Sequence, residues 1–131
     1  MFKLNTMDVG ATPPIEYKEV TAAETYHVGE VLKTASGKVT KASGTNAPEY
    51  LCVGEAKDGL LPCVRLQKYM ELSTVFSADP GDGVTIAVGD KVTVDSDGMK
   101  ATATKTSGTF MITALEKTAA AGVGVLGRFG Y

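Results

Sequence analysis

Val88-Gly89-Asp90-Lys91-Val92-Thr93-Val94-Asp95-Ser96-Asp97-Gly98 is the stretch from which the rest of the chain is read. Gly89-Asp90 predicts a turn. Val92 and Val94 alternate with Lys91, Thr93 and Asp95, the two-residue period of a half-buried strand. Asp95-Ser96-Asp97-Gly98 then turns the chain back, because Asp supplies local hydrogen bonds and Gly tolerates a positive φ. Residues 99–105 return as a second alternating run and complete a β-hairpin. The same wording occurs roughly sixty residues earlier, as Val28-Gly29-Glu30-Val31-Leu32 and Ser36-Gly37-Lys38-Val39-Thr40. Both copies run on into Ser-Gly-Thr, at residues 43–45 and 107–109. A hairpin written twice defines a fold class and carries no chemistry.

Working outward, Glu49-Tyr50-Leu51-Cys52-Val53-Gly54-Glu55-Ala56 is the most apolar strand of the first half, and residues 109–116 match it in the second. Residues 60–66 close the first half as residues 123–129 end the chain. Pro62 has no N–H for a ladder, so its strand is expected to start there or to lie at an edge. Residues 67–78 join the halves with mixed periods, and a strand is preferred there over one short helical turn. Asp79-Pro80-Gly81-Asp82-Gly83 is the strongest turn cluster, and the run from Val84 to Val88 opens the second module. These signals predict one mainly-β domain over residues 26–131, a small β-barrel or sandwich built from two similar hairpin modules, about 26–66 and 84–131. Two copies are too few for a solenoid. The expected core is Val31, Val39, Leu51, Val53, Val64, Val92, Val94, Phe110, Ile112, Leu115, Val125 and Phe129.

Residues 1–25 read differently. Gly10-Ala11-Thr12-Pro13-Pro14 excludes helix and favours an extended course. The segment is expected to be an extended N-terminal arm outside the duplicated body. Phe2, Leu4, Met7, Val9, Pro13, Pro14, Ile15 and Tyr17 are its candidate contact residues, because apolar side chains on an extended arm need a surface to cover them. The competing readings are a frayed terminus and an arm that packs on its own body and closes an edge.

The composition narrows the function classes. The chain has 131 residues, 44% of them hydrophobic, with 15 Gly and no Trp, which suits many short strands joined by tight turns. Thirteen basic against 15 acidic residues leave a net charge of −2 and no basic cluster, so nucleic-acid binding is not expected. Apolar runs are too short to span a bilayer, and no polybasic or lipidation signal marks a membrane partner. Residues 1–6 have no apolar stretch of the kind a secretory signal carries, and synthesis in a reducing cytoplasm is the expectation. Cys52 and Cys63 stand in two apolar contexts. They are read as reduced core cysteines, with a disulfide as the other reading.

No constellation of catalytic residues emerges. His27 is the only histidine and would have to be the hub of a triad or of a multi-histidine metal site, yet it stands in Tyr26-His27-Val28 without a motif. It reads as a surface or strand histidine. Gly-x-Ser-x-Gly and a phosphate loop are missing, and no Gly-x-Gly-x-x-Gly opens a helix. Asp95, Asp97 and Gly98 resemble the start of a calcium loop, but residues 99–105 supply no later carboxylate, so turn chemistry is the better account of them and of Asp79 and Asp82. Met99-Lys100 resembles the modified-lysine motif of biotinyl and lipoyl carrier domains, but the order of the surrounding turns is reversed and Ala101 stands where a second Met belongs. The reading is therefore a protein that is not an enzyme, with no cofactor and no metal.

Four stretches together resemble the head decoration, or capsid cement, proteins of tailed bacteriophages: Val28-Gly29-Glu30-Val31, residues 49–56, residues 88–98 and residues 121–129. The resemblance covers roughly residues 26–131 and rests on turns and alternation. It implies a β-barrel body, often trimeric, that binds the outside of an assembled shell where major capsid subunits meet, frequently through a terminal arm. It implies a virion location on the capsid exterior, partners in the capsid lattice and in further copies of the chain, and no catalytic residues. Another inert β-rich virion part, such as a head–tail joining or tail protein, is the nearest alternative. The carrier domain is a more distant one.

Overall fold

The computed structural model describes residues 1–7 and 13–130. They form two five-stranded antiparallel sheets. In chain order the strands are β1 (Lys3–Met7), β2 (Ile15–Glu19), β3 (Val31–Ala35), β4 (Lys38–Lys41), β5 (Tyr50–Cys52), β6 (Leu60–Arg65), β7 (Met70–Val75), β8 (Lys91–Val92), β9 (Phe110–Leu115) and β10 (Gly124–Arg128). One sheet runs β2-β6-β5-β3-β4 and the other β1-β7-β10-β9-β8. The fold is a mainly-β sandwich, and neither sheet closes into a barrel. One isolated parallel bridge joins Val20, just after β2, to Val39 of β4 in the first sheet, and one joins Phe76, just after β7, to Ala101 in the second.

Apart from β1, which joins the sheet of the second half, each half of the sequence makes one sheet. β6, β5 and β3 of the first half occupy the places of β10, β9 and β8 in the second, and β2 occupies the place of β7. The equivalence extends to single hydrogen bonds between residues sixty apart. The Glu30 N–H donates to the His27 carbonyl at 3.1 Å, as Asp90 does to Ala87 at 3.1 Å. Gly29 donates to Cys52 at 2.9 Å and Gly89 to Ile112 at 2.8 Å. Cys52 donates back to Glu30 at 2.9 Å and Ile112 to Asp90 at 2.9 Å. The turns depend on Gly29 and Gly89, whose φ values of 88° and 93° favour glycine.

Nine of the expected core residues are buried, and Val53, Val64 and Leu115 are partly so. The larger apolar cluster lies between the sheets around Phe2, Phe110 and Phe129, whose ring centroids stand 4.9–5.5 Å apart in tilted and edge-on arrangements. A smaller cluster of Leu32, Val39, Tyr50, Cys52, Leu61 and Cys63 fills the curl of the first sheet, with Val20 and Tyr26 packed against it.

Four expectations are corrected. The segment expected to be an arm contributes strands to both sheets: β1 pairs with β7 and β2 with β6. Alternating apolar residues on an extended chain find open sheet edges within their own molecule, so the first repeat begins at β2 and not at Tyr26. The hairpin at residues 88–105 is the least regular part of the second sheet. β8 is two residues long, residues 84–88 form no strand, and Val94 meets Ala101 through a single bridge. The reason is that Val94 also exchanges hydrogen bonds with Gly44 of the other half, at 2.7 and 3.2 Å, which draws it out of a plain hairpin ladder. The most apolar strand expected over residues 49–56 is confined to Tyr50–Cys52. Pro62, finally, sits within β6 between β2 and β5, neither at a strand start nor at a sheet edge. Its carbonyl accepts from Val53 at 3.0 Å, so its missing N–H falls at the rung where β5 ends, and the lost bond is a terminal one.

Candidate functional surface at the β2 edge

Pairing of β2 with β6 sets Ile15 beside Val64, Tyr17 beside Pro62 and Glu19 beside Leu60. Directly opposed residues share a face, so this face presents Ile15, Tyr17 and Leu60, exposed by 53%, 66% and 43%. Its continuation through Val64 and Val53 packs against the larger core cluster. The exposed strip is thus the inter-sheet apolar face carried past the cover of the second sheet. β2 is also an edge strand, with one row of backbone groups turned away from β6.

The opposite face of β2 is charged and tied down. Glu16 accepts from Lys18 at 3.0 Å and from the Arg65 guanidinium at 3.2 and 3.4 Å. Lys18 and Arg65 each lie 4.9 Å from the centre of the Tyr50 ring, and Arg65 also donates to the Tyr50 hydroxyl at 2.5 Å. The Lys18 hydrogen bond, then that of Arg65, holds the Glu16 carboxyl below its ordinary range. This network joins β2 to β6 and to Tyr50 of β5 on the face opposite the apolar strip.

The candidate contact residues do not gather into one patch. Phe2 is buried in the chain's own aromatic core and is no part of an exposed surface. Leu4 lies on β1 at the edge of the other sheet and is partly exposed. Met7 ends β1, its backbone paired with that of Met70. Val9 lies outside the described residues. Pro13 and Pro14 lead into β2, half-buried and exposed respectively, and only Ile15 and Tyr17 stand on the strip. Leu60 was legible as an apolar strand residue, but its exposure follows from its place opposite Glu19. Val28 and Val88 are exposed at the two equivalent Val-Gly turns.

Elsewhere the polar groups serve structure. Asp97 accepts from Met99 at 2.7 Å and Asp95 from Asp97 at 3.4 Å, which is turn chemistry. Lys100 lies 3.9 Å from Asp97 in the same turn. Among the described residues, no group of three or more His, Cys, Asp or Glu side chains is placed to hold a metal ion, and no helix is long and apolar enough to cross a membrane. A shallow hollow of about 280 Å³ lies over Ser73, Leu115, Glu116 and Leu126. The carboxylate in its wall, Glu116, accepts from Gly124 at 2.7 Å. His27 sits 3.5 Å from Glu30, whose carboxylate is buried and also meets Lys41 at 3.5 Å.

Searches of family models, of curated proteins and of solved structures find no match to this chain.

Proposed function

We propose that this protein is a structural binding module of the capsid-decoration kind, which docks on the outer face of an assembled bacteriophage shell and holds neighbouring major capsid subunits together. The observation that carries the reading is the apolar strip Ile15–Tyr17–Leu60 on an edge strand of an otherwise well-packed sandwich. An exposed apolar strip on an edge strand is a fitting contact surface. A partner that binds the closed lattice and not the free subunits stabilises the lattice by mass action. Self-association, most simply as a trimer, multiplies the contacts through avidity. Such a role asks for a rigid body with a complementary surface, and its place is the exterior of the virion.

Deleting the first twenty residues is a poor test, because β1, β2 and Phe2 are integral to the sheets and the core. The clean test is the pair Ile15→Asp and Tyr17→Glu, made together on the solvent face. The double variant is expected to keep wild-type β-sheet circular dichroism and to lose binding to expanded, undecorated shells in a sedimentation assay. Binding at wild-type occupancy would remove this surface from the proposal, and failure of the wild-type protein to bind any such shell would remove the function.

A further inference from the structure

Antiparallel pairing of β5 with β6 sets Cys52 directly opposite Cys63. The backbone shows which kind of pair this is. The Cys52 N–H donates to the Glu30 carbonyl and the Cys52 carbonyl accepts from Gly29, both at 2.9 Å, so both groups point away from β6. The next rung is bonded, from the Val53 N–H to the Pro62 carbonyl at 3.0 Å. Cys52 and Cys63 therefore form a non-hydrogen-bonded pair. In such pairs the Cα atoms approach to about 4.5 Å and the side chains stand closest, inside the roughly 4.4–6.8 Å that a disulfide requires. Both cysteines are free thiols, 1% and 0% exposed, and they point into the same small cluster with Leu32, Val39, Tyr50 and Leu61. Each now donates weakly to a carbonyl on its own strand side, Cys52 to Gly54 at 3.2 Å and Cys63 to Leu61 at 3.4 Å. The equivalent of Cys52 in the second half is Ile112, so the thiol pair belongs to one sheet only.

We propose that Cys52 and Cys63 close a cross-strand disulfide when the chain folds in the presence of a small-molecule disulfide, giving a stapled form of the first sheet. With glutathione disulfide as oxidant, one protein thiolate attacks a glutathione sulfur. A protein–glutathione bond forms and one glutathione thiol leaves. The second protein thiolate then attacks the protein sulfur of that mixed disulfide and expels the second glutathione. The two protein thiols give up two electrons and two protons, and glutathione disulfide takes up both. Burial pushes the Cys63 thiol up to about 12 and the Cys52 thiol upward as well, so the folded dithiol holds little thiolate and reacts slowly. Exchange belongs to the chain before the cluster closes over the two sulfurs.

The test is to unfold the reduced protein and refold it in a glutathione redox buffer. The expected product has wild-type β-sheet circular dichroism, a mass lower by two hydrogens, no thiol that alkylates under denaturing conditions and a proteolytic fragment linking Cys52 to Cys63. Its thermal midpoint should stand roughly 5–10 °C above that of the reduced protein and return on reduction. Reduced protein exposed to the same buffer without unfolding should oxidise far more slowly. Cys52→Ala and Cys63→Ala should each keep one alkylatable thiol and show no midpoint shift. A natively folded product that retains both thiols, carries glutathione on them or links two chains would overturn the proposal. So would a midpoint shift that persists in either single variant. The mass and fragment measurements on the wild-type chain need no variant to fold.

Discussion

Glu30 and Asp90 occupy the same position in the two halves, yet they do different things. Each donates its N–H to the carbonyl three residues earlier and accepts from the strand opposite, so the backbone frame is the same. Asp90, the shorter, turns its carboxylate back onto its own turn and accepts from the Ala87 N–H at 2.8 Å, with Lys105 at 3.4 Å. Glu30 is one methylene longer and lies buried at the seam between the halves, against His27 and Lys41, with the 95–98 turn packed so close that a Cβ on Gly98 would stand 3.0 Å from its side chain. One of its carboxylate oxygens has no hydrogen-bond partner among the described residues. The comparison teaches that the turn sets the backbone, while the element that covers the turn decides whether its side chain faces water. The first turn is covered by the N-terminal residues and by the second half, and the second turn is left open.

The largest way to break the equivalence is in the cores. Phe110 and Tyr50 lie sixty residues apart, but Phe110 stands in the aromatic trio between the sheets. Phe110→Ala should cost about 3–5 kcal/mol in denaturant unfolding, the usual range for a buried Phe truncated to Ala. A loss near zero would mean that the trio does not hold the sheets together. Next come the two turn glycines. Gly89→Ala meets nothing within 4 Å among the described residues and suffers only the left-handed backbone, about 1–2 kcal/mol. Gly29→Ala carries the same backbone cost and also drives its Cβ to 2.3 Å from the Met1 Cβ, adding roughly 1–3 kcal/mol. Equal losses from the two variants would show that the N-terminus is not docked on the first turn.

Smaller effects are expected at the surface. Tyr50→Phe keeps the ring between its two cations and removes the hydroxyl bond to Arg65, so a loss of about 1 kcal/mol or less is expected. A larger loss would assign the Arg65–Glu16 network more structural weight than its exposure implies. The smallest effect concerns acid stability. The Ala87 N–H, with Lys105 second, holds the Asp90 carboxyl below its ordinary range. A depressed folded pKa contributes stability that is present above the unfolded carboxylate range and is lost as the pH falls through the folded value. Asp90→Asn should therefore leave a shallower acid-side decline of the thermal midpoint than the wild type, with no difference between their slopes near neutral pH. Parallel acid limbs would exclude Asp90 as a contributor.

Alternation, the Gly-containing turns and the repeated hairpin wording were enough to establish a mainly-β chain with an internal duplication, and they located most of its core, because these signals are local and depend on residue type at fixed spacing. Ile15 and Tyr17 were likewise legible as apolar residues on an extended segment. Their exposure was not, since it depends on β6 binding one side of β2 while the second sheet stops short of the face. The equivalence of β2 with β7 escaped the sequence because the loops that follow them differ in length, so residues 15–19 and 70–75 fall out of the sixty-residue register and share no turn wording. Phe2 became core, and not arm, because the space between two sheets must be filled, and the chain that fills it comes from the end of a strand far away in sequence. Cys52 and Cys63 carry no spacing motif, and only the register of two strands, set by turns elsewhere, brings them face to face. What residue type and spacing determined was the list of strands and turns. What only the tertiary structure decided was which edges, faces and sulfurs meet, because that depends on long-range pairing and on how much apolar surface is left for the next element to cover.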